Sequence, residues 1–183
     1  MFKKLVLLLL FGVPAHPGTE VYFSPNGGCA PHLVAAVCGA TRTLDLAVYA
    51  INDPVVVEAI LRAKERGVRV RMLCDKSQSE GRTSLVGTLK KAGISLYVVR
   101  GSGGGIMHDK FAVYDRGVAG KARVSAGSYN WTVPGQKKND ENEFFCDEER
   151  VVEAYGGRFD ALWGRASSLS EKARPRPKRR PAH

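Results

Sequence analysis

Residues 43–99 constrain the fold most strongly, because two helix-length segments there separate three strand-length apolar runs. Thr43 to Ala50 is apolar or alternating over the length of a buried strand. Asp53 then offers an N-cap side chain, Pro54 takes the first helical position, where a missing N–H leaves no bond unmade, and Gly67 stops the helix. Between them Val56, Val57, Ile60, Leu61 and Ala63 recur at helical spacing. Val68 to Cys74 reads as a second strand, Thr83 to Ala92 as a shorter helix closed by Gly93, and Ile94 to Val99 as a third strand. This order requires crossover connections, which are right-handed, and hence parallel strands covered by helices.

The flanking segments extend the pattern. Residues 20–23 read as a short strand, Ser24 to Gly28 as a turn by composition, and Pro31 to Ala40 as an apolar helix. After Gly101 the periodicity changes. Ser102 to Gly105 is a glycine-rich entrance that lacks the rest of a P-loop, and so reads as a mobile lip. Strands follow at 108–114 and 121–126, joined by a turn through Arg116-Gly117 and Gly120-Lys121, with a further strand at 142–146. A helix over 148–164 places Val151, Val152, Tyr155, Phe159, Leu162 and Trp163 on one apolar face. The expected architecture is one α/β domain, a mixed β-sheet sandwiched between helices, with no internal repeat.

With 183 residues and 44% hydrophobic content, the chain can bury a core of one domain. Lys3 and Lys4 precede an apolar run from Leu5 to Val13, then Pro14 and Ala15. That is the layout of a signal peptide over residues 1–15, and it predicts a periplasmic or secreted protein. The alternative is a buried N-terminal strand. The run is too short to span a bilayer, which needs about 20 residues. Net charge is +10, yet residues 16–165 carry 20 basic against 17 acidic groups. Much of the excess lies in residues 166–183, a Pro- and Arg-rich segment expected to be a disordered tail that attracts polyanions, whether nucleic acid or an anionic membrane surface. Cys29, Cys38, Cys74 and Cys146 would be free to pair in an exported protein, though their spacing names no connectivity. Cys29, His32 and Cys38 lack a fourth ligand for a structural zinc site, so buried thiols or one disulfide are expected.

Two short runs carry the chemistry. His108-Asp109-Lys110 with Asp115 reads H-x-K-x4-D, and Gly127-Ser128-Tyr129-Asn130 reads G-S-x-N. Neutral imidazole is a competent nucleophile near neutral pH. Lys110 supplies fixed positive charge, and Ser128 and Asn130 neutral donors, for the non-bridging oxygens of a phosphodiester. Both runs are expected to end strands and to project into one cleft. Trp131 would either stack on a base or pack beneath the site.

On these runs, together with "YFSPNGG", "DLAVYAINDPVVVEAILRAKERGVRVRMLCD" and "KKNDENEFF", the chain resembles the phospholipase D superfamily over roughly residues 20–165. It is most similar to the small bacterial endonucleases with one motif per chain, and next to the single-motif mitochondrial type described as a cardiolipin hydrolase or piRNA-pathway nuclease. The resemblance implies catalytic roles for His108, Lys110, Asp115, Ser128, Asn130 and Glu141. Glu141 aligns with the carboxylate that bonds the far nitrogen of the histidine and fixes its tautomer, whereas Asp115 is expected mainly to brace its strand. The eleven residues between Asp115 and Gly127 exceed the usual family hairpin, and the extra length is expected to bulge at 117–121, away from the site.

A single H-x-K set offers one nucleophile and no acid for the leaving group. None of His16, His32 and His183 is followed by Lys two residues on. The resemblance therefore implies a homodimer with one composite site. Neutral His108 of one copy attacks phosphorus, and protonated His108 of the other donates to the leaving oxygen and then activates water. The scheme calls for no cofactor and no metal, two lysines taking the place of a Mg²⁺ clamp. Three functions follow in order of preference: a nuclease cutting DNA, with RNA as a second substrate, a phospholipase acting on an anionic lipid such as cardiolipin, and a non-catalytic nucleic-acid-binding module.

Overall fold

The computed structural model describes residues 18–172. Seven strands form one mixed sheet in the order β1-β7-β6-β5-β2-β3-β4. They are β1 (Thr19–Ser24), β2 (Thr43–Val48), β3 (Arg69–Asp75), β4 (Ser95–Val99), β5 (Lys110–Tyr114), β6 (Arg123–Gly127) and β7 (Glu141–Cys146). Strands β2, β3 and β4 are parallel, as the crossover pattern requires, and every other pairing is antiparallel. The expected α/β class, a mixed sheet between helices, is the one found.

Helices α1 (Cys29–Gly39), α2 (Pro54–Glu65) and α4 (Val86–Lys91) cover one face, where Leu33, Val37, Ile60 and Leu89 pack on Leu44, Leu46, Val48 and Phe145. Helix α6 (Glu149–Lys172) covers the other through Val152, Phe159, Leu162 and Ala166, against Ala47, Leu73, Val113 and Val124. Two short helices, α3 (Lys76–Ser79) and α5 (Val133–Lys137), lie in loops. The Asp53 side chain accepts the N–H of Val55 at 2.9 Å, which makes it the cap of α2. Gly67 adopts φ 87° after that helix, a conformation glycine reaches without a Cβ clash.

The long β5–β6 connection leaves the register intact, with Phe111 opposite Ala126 and Tyr114 opposite Arg123. Its extra residues form turns closed by Val118 N–H to the Asp115 carbonyl and Lys121 N–H to the Val118 carbonyl. The expected boundary of a disordered tail at residue 166 is corrected. Helix α6 continues to Lys172, and Ala166 is buried against the sheet, so apolar contact carries the helix past its last aromatic residue. The expected signal peptide lies outside the described residues, as does the remainder of the tail. Among the described residues no cysteine is paired; Cys29, Cys74 and Cys146 are buried thiols and Cys38 is exposed. His32 stacks on Tyr22 with ring centroids 3.4 Å apart, and its Nδ1 contacts the Gly28 carbonyl at 2.8 Å.

Candidate active site

The strand directions bring the C-terminal ends of β2, β3 and β6 to the same sheet edge as the N-terminal ends of β5 and β7. His108 and Asp109 lie just before β5 and Lys110 is its first residue, so the first motif begins its strand rather than ending it. Ser128 and Asn130 follow β6, as expected. Because β5 and β6 are antiparallel neighbours, both runs meet at this edge.

His108 is exposed, while Lys110 is buried to 8% exposure. The Lys110 ammonium donates to the His108 carbonyl at 2.9 Å and lies 3.2 Å from His108 Nε2. Burial depresses the Lys110 pKa, an effect partly offset by the carboxylates of Glu141 and Asp109. Tyr49, one residue past β2, sets its ring edge-to-face against His108 at 4.5 Å between centroids. Asp109 pairs with Arg158 of α6 at 3.4 Å.

The second run is fixed by backbone. Ser128 N–H donates to Asn142 Oδ1 at 3.2 Å, Asn142 N–H donates to Ser128 Oγ at 3.1 Å, and Tyr129 N–H donates to the Asn142 carbonyl at 3.1 Å. A Cβ on Gly127 would overlap the Asn142 carbonyl, which explains why glycine opens this run. The Trp131 carbonyl accepts the N–H groups of Asn52 and Asp53, tying the run to the start of α2. Trp131 itself is fully buried in the core, so of the two expected placements it packs beneath the site. Asn130 is half-buried, and its Oδ1 has no partner among the described residues.

The placement of Glu141 changes, while Asp115 is the brace it was expected to be. Glu141 accepts Ser128 Oγ–H at 2.6 Å and Asn139 Nδ2–H at 3.1 Å, and within the chain it does not bond His108. It binds the second run and supports the charge on Lys110, because β7 lies beyond β6 and two strands from β5. Asp115 sits at the opposite end of β5, about 17 Å along a strand from Lys110. Its carboxylate accepts Thr41 N–H, Thr41 Oγ1–H, Arg42 N–H and Thr43 N–H at 2.6–3.1 Å, which is a brace between α1 and β2 and no part of the cleft. Tyr49, Asp75, Gln78 and Asn139 were not read from the sequence as site residues. For Tyr49, Asp75 and Gln78 the one available signal was position, since polar groups at the C-terminal ends of parallel strands commonly line a cleft.

Comparison with known proteins agrees with this geometry. A family model described as "Cardiolipin synthase, PLD-like domain" matches residues 33–163. A mitochondrial cardiolipin hydrolase from Xenopus laevis is 35% identical over 171 residues, covering 88% of this chain and 78% of that protein. A phospholipase D from Rickettsia prowazekii is 30% identical over 133 residues, covering 73% of this chain, which spans only 62% of the relative's length. The crystal structure of Nuc from Salmonella typhimurium, a phospholipase D family member, superposes with a TM-score of 0.73 at 26% identity, covering 81% of this chain and 95% of that one. With the H-x-K and G-S-x-N runs meeting at one sheet edge of this fold, the chain belongs to the phospholipase D superfamily.

Proposed function

We propose that this protein is a phosphodiesterase acting on nucleic acid, an endonuclease that uses His108 as nucleophile in a site completed by a second copy of the chain. The observation that carries the reading is an exposed histidine whose Nε2 lies 3.2 Å from a buried lysine ammonium at an open sheet edge. A phosphate entering that edge draws Lys110 to its non-bridging oxygens and exposes the Nε2 lone pair. Attack forms an N–P bond and breaks the P–O bond to the leaving group, whose oxygen takes a proton from His108 of the second copy. That histidine then deprotonates water, which cleaves the phosphohistidine and restores the enzyme. Lys110, Asn130 and Ser128 stabilise the charge gathering on phosphorus-bound oxygens. Asp115 takes no part, and Glu141 acts on Ser128 and Lys110.

The deciding experiment is nicking of supercoiled plasmid in excess EDTA by the wild type and His108→Ala. Cleavage by the wild type and at least a thousandfold less by the mutant is expected. Equal cleavage by both refutes the histidine mechanism. A second reading, hydrolysis of an anionic phospholipid by the same residues, is favoured by the similarity to cardiolipin hydrolases. Release of phosphatidic acid from cardiolipin vesicles without plasmid nicking would select it. Export remains a separate proposal resting on residues 1–15, checked by sequencing the N-terminus of the mature protein.

A further inference from the structure

His108 precedes the first residue of β5, so the strand ladder does not fix its side chain, yet a nucleophile must meet phosphorus in line. Misplacement by about 1 Å costs roughly 100-fold in rate. The structure supplies one surface that touches both members of the pair. The Tyr49 ring lies edge-to-face with His108 at 4.5 Å, and the Lys110 ammonium lies 5.2 Å from the centroid of the same ring, within cation–π range. Tyr49 is itself held at both ends. Its N–H donates to the Asp109 carbonyl at 2.9 Å, and its hydroxyl accepts Gln78 Nε2–H at 3.1 Å. Gln78 belongs to α3, a single turn capped by Asp75, whose Oδ1 accepts the N–H groups of Ser77 and Gln78 at 2.9 and 3.2 Å. The other oxygen of Asp75 accepts Met107 N–H at 2.9 Å, one residue before His108. One buried carboxylate thus fixes both the backbone entering the nucleophile and the turn that holds its aromatic neighbour.

We propose that Tyr49, latched by Gln78, is a positioning residue that sets the rotamer of His108 and stabilises the charged form of Lys110. The assignment rests on the histidine-nucleophile reading above. Among the described residues, His108, Asp109, Glu141 and the Tyr49 ring face the Lys110 ammonium. Removing the ring leaves burial less opposed, so the lysine loses its proton at lower pH.

The test is hydrolysis of bis(p-nitrophenyl) phosphate across pH by the full chain and its Tyr49→Phe, Tyr49→Leu and Gln78→Ala variants, with thermal melts alongside. Tyr49→Phe keeps the ring but removes the hydroxyl that Gln78 latches, and is expected to lose about fivefold in kcat with the basic limb in place. Tyr49→Leu is expected to lose about 30-fold in kcat with KM within about twofold, and to move the basic limb of the profile down by roughly half a unit. Gln78→Ala frees the ring without removing it and is expected to lose about fivefold in kcat with the basic limb in place, which decides the matter if Tyr49→Leu does not fold. Wild-type kcat in folded Tyr49→Leu, a loss confined to KM, or full activity in Gln78→Ala overturns the positioning role alone. A folded wild type that hydrolyses no phosphodiester overturns the nucleophile reading, and this assignment with it.

Discussion

Glu143 makes an unusual prediction about stability. It lies in the interior of β7, opposite Gly127 on one side and Tyr22 on the other, with no solvent exposure. Neither carboxyl oxygen has a hydrogen-bond partner among the described residues. Burial pushes its pKa up to about 8, with a small opposing effect of neighbouring Ser125. The folded protein therefore holds Glu143 as a neutral acid at pH 7, whereas the unfolded chain ionises it near 4.5. Between those values the folded state binds a proton that the unfolded state has released, so this group makes stability fall as pH rises. Integrating the two titrations gives a loss of about 4 kcal/mol between about pH 5 and pH 8.5. Glu143→Gln keeps the size and removes the titration. Urea unfolding followed by the fluorescence of the buried Trp131 should show the wild type losing about 4 kcal/mol more than the mutant across that interval. Parallel pH dependences in the two proteins would refute the reasoning, because they would mean that Glu143 ionises in the folded state as it does in water.

Asp115→Ala removes a carboxylate that four donors share, and should cost about 3 kcal/mol and lower Tm by roughly 6–12 °C while leaving kcat of the folded fraction unchanged. A loss of kcat in a fully stable variant would return Asp115 to the chemistry. Asp75 and Asp115 also set the acid behaviour. Burial pushes both upward, but the bonds they accept hold them below the usual carboxylate range. Their stabilisation is therefore present above about pH 4 and lost as pH falls through their folded values, opposite in direction to Glu143, and acid unfolding of the two Asn variants measures it. Glu141→Gln keeps an acceptor for Asn139 and turns its amide N–H toward Ser128 Oγ while removing the charge that supports Lys110, so the basic limb of the rate profile should move to lower pH with about a tenfold loss at neutrality. An unmoved limb would mean that Glu141 does not act on the lysine.

Much of the fold was legible because its signals act over a few residues. The Asp53-Pro54 start, the Gly67 stop and the apolar period between them define α2 with no knowledge of what it packs against. The elements that escaped, α3 and α5, are one to two turns long and carry too little periodicity to register. The length of α6 was underestimated because residues 167–172 are mostly polar, and burial of Ala166 is a tertiary fact. Glu143 escaped for a related reason. Read alone it is one more acid in an acidic stretch, and only the pairing of β7 between β1 and β6 shows that it has no water.

The amino-acid sequence by itself determined the two short polar runs, His108 with Lys110 and Ser128 with Asn130, and the strand and helix alternation that carries them. The tertiary structure alone decided which of the motif residues share a cleft. Strand β5 lies between β2 and β6, so its first residues meet Tyr49 and the second motif, while Asp115, five residues further on, is carried to the far edge. Spacing along a chain fixes neighbours within a helix or strand. Neighbours between strands depend on the order and direction in which the sheet is assembled.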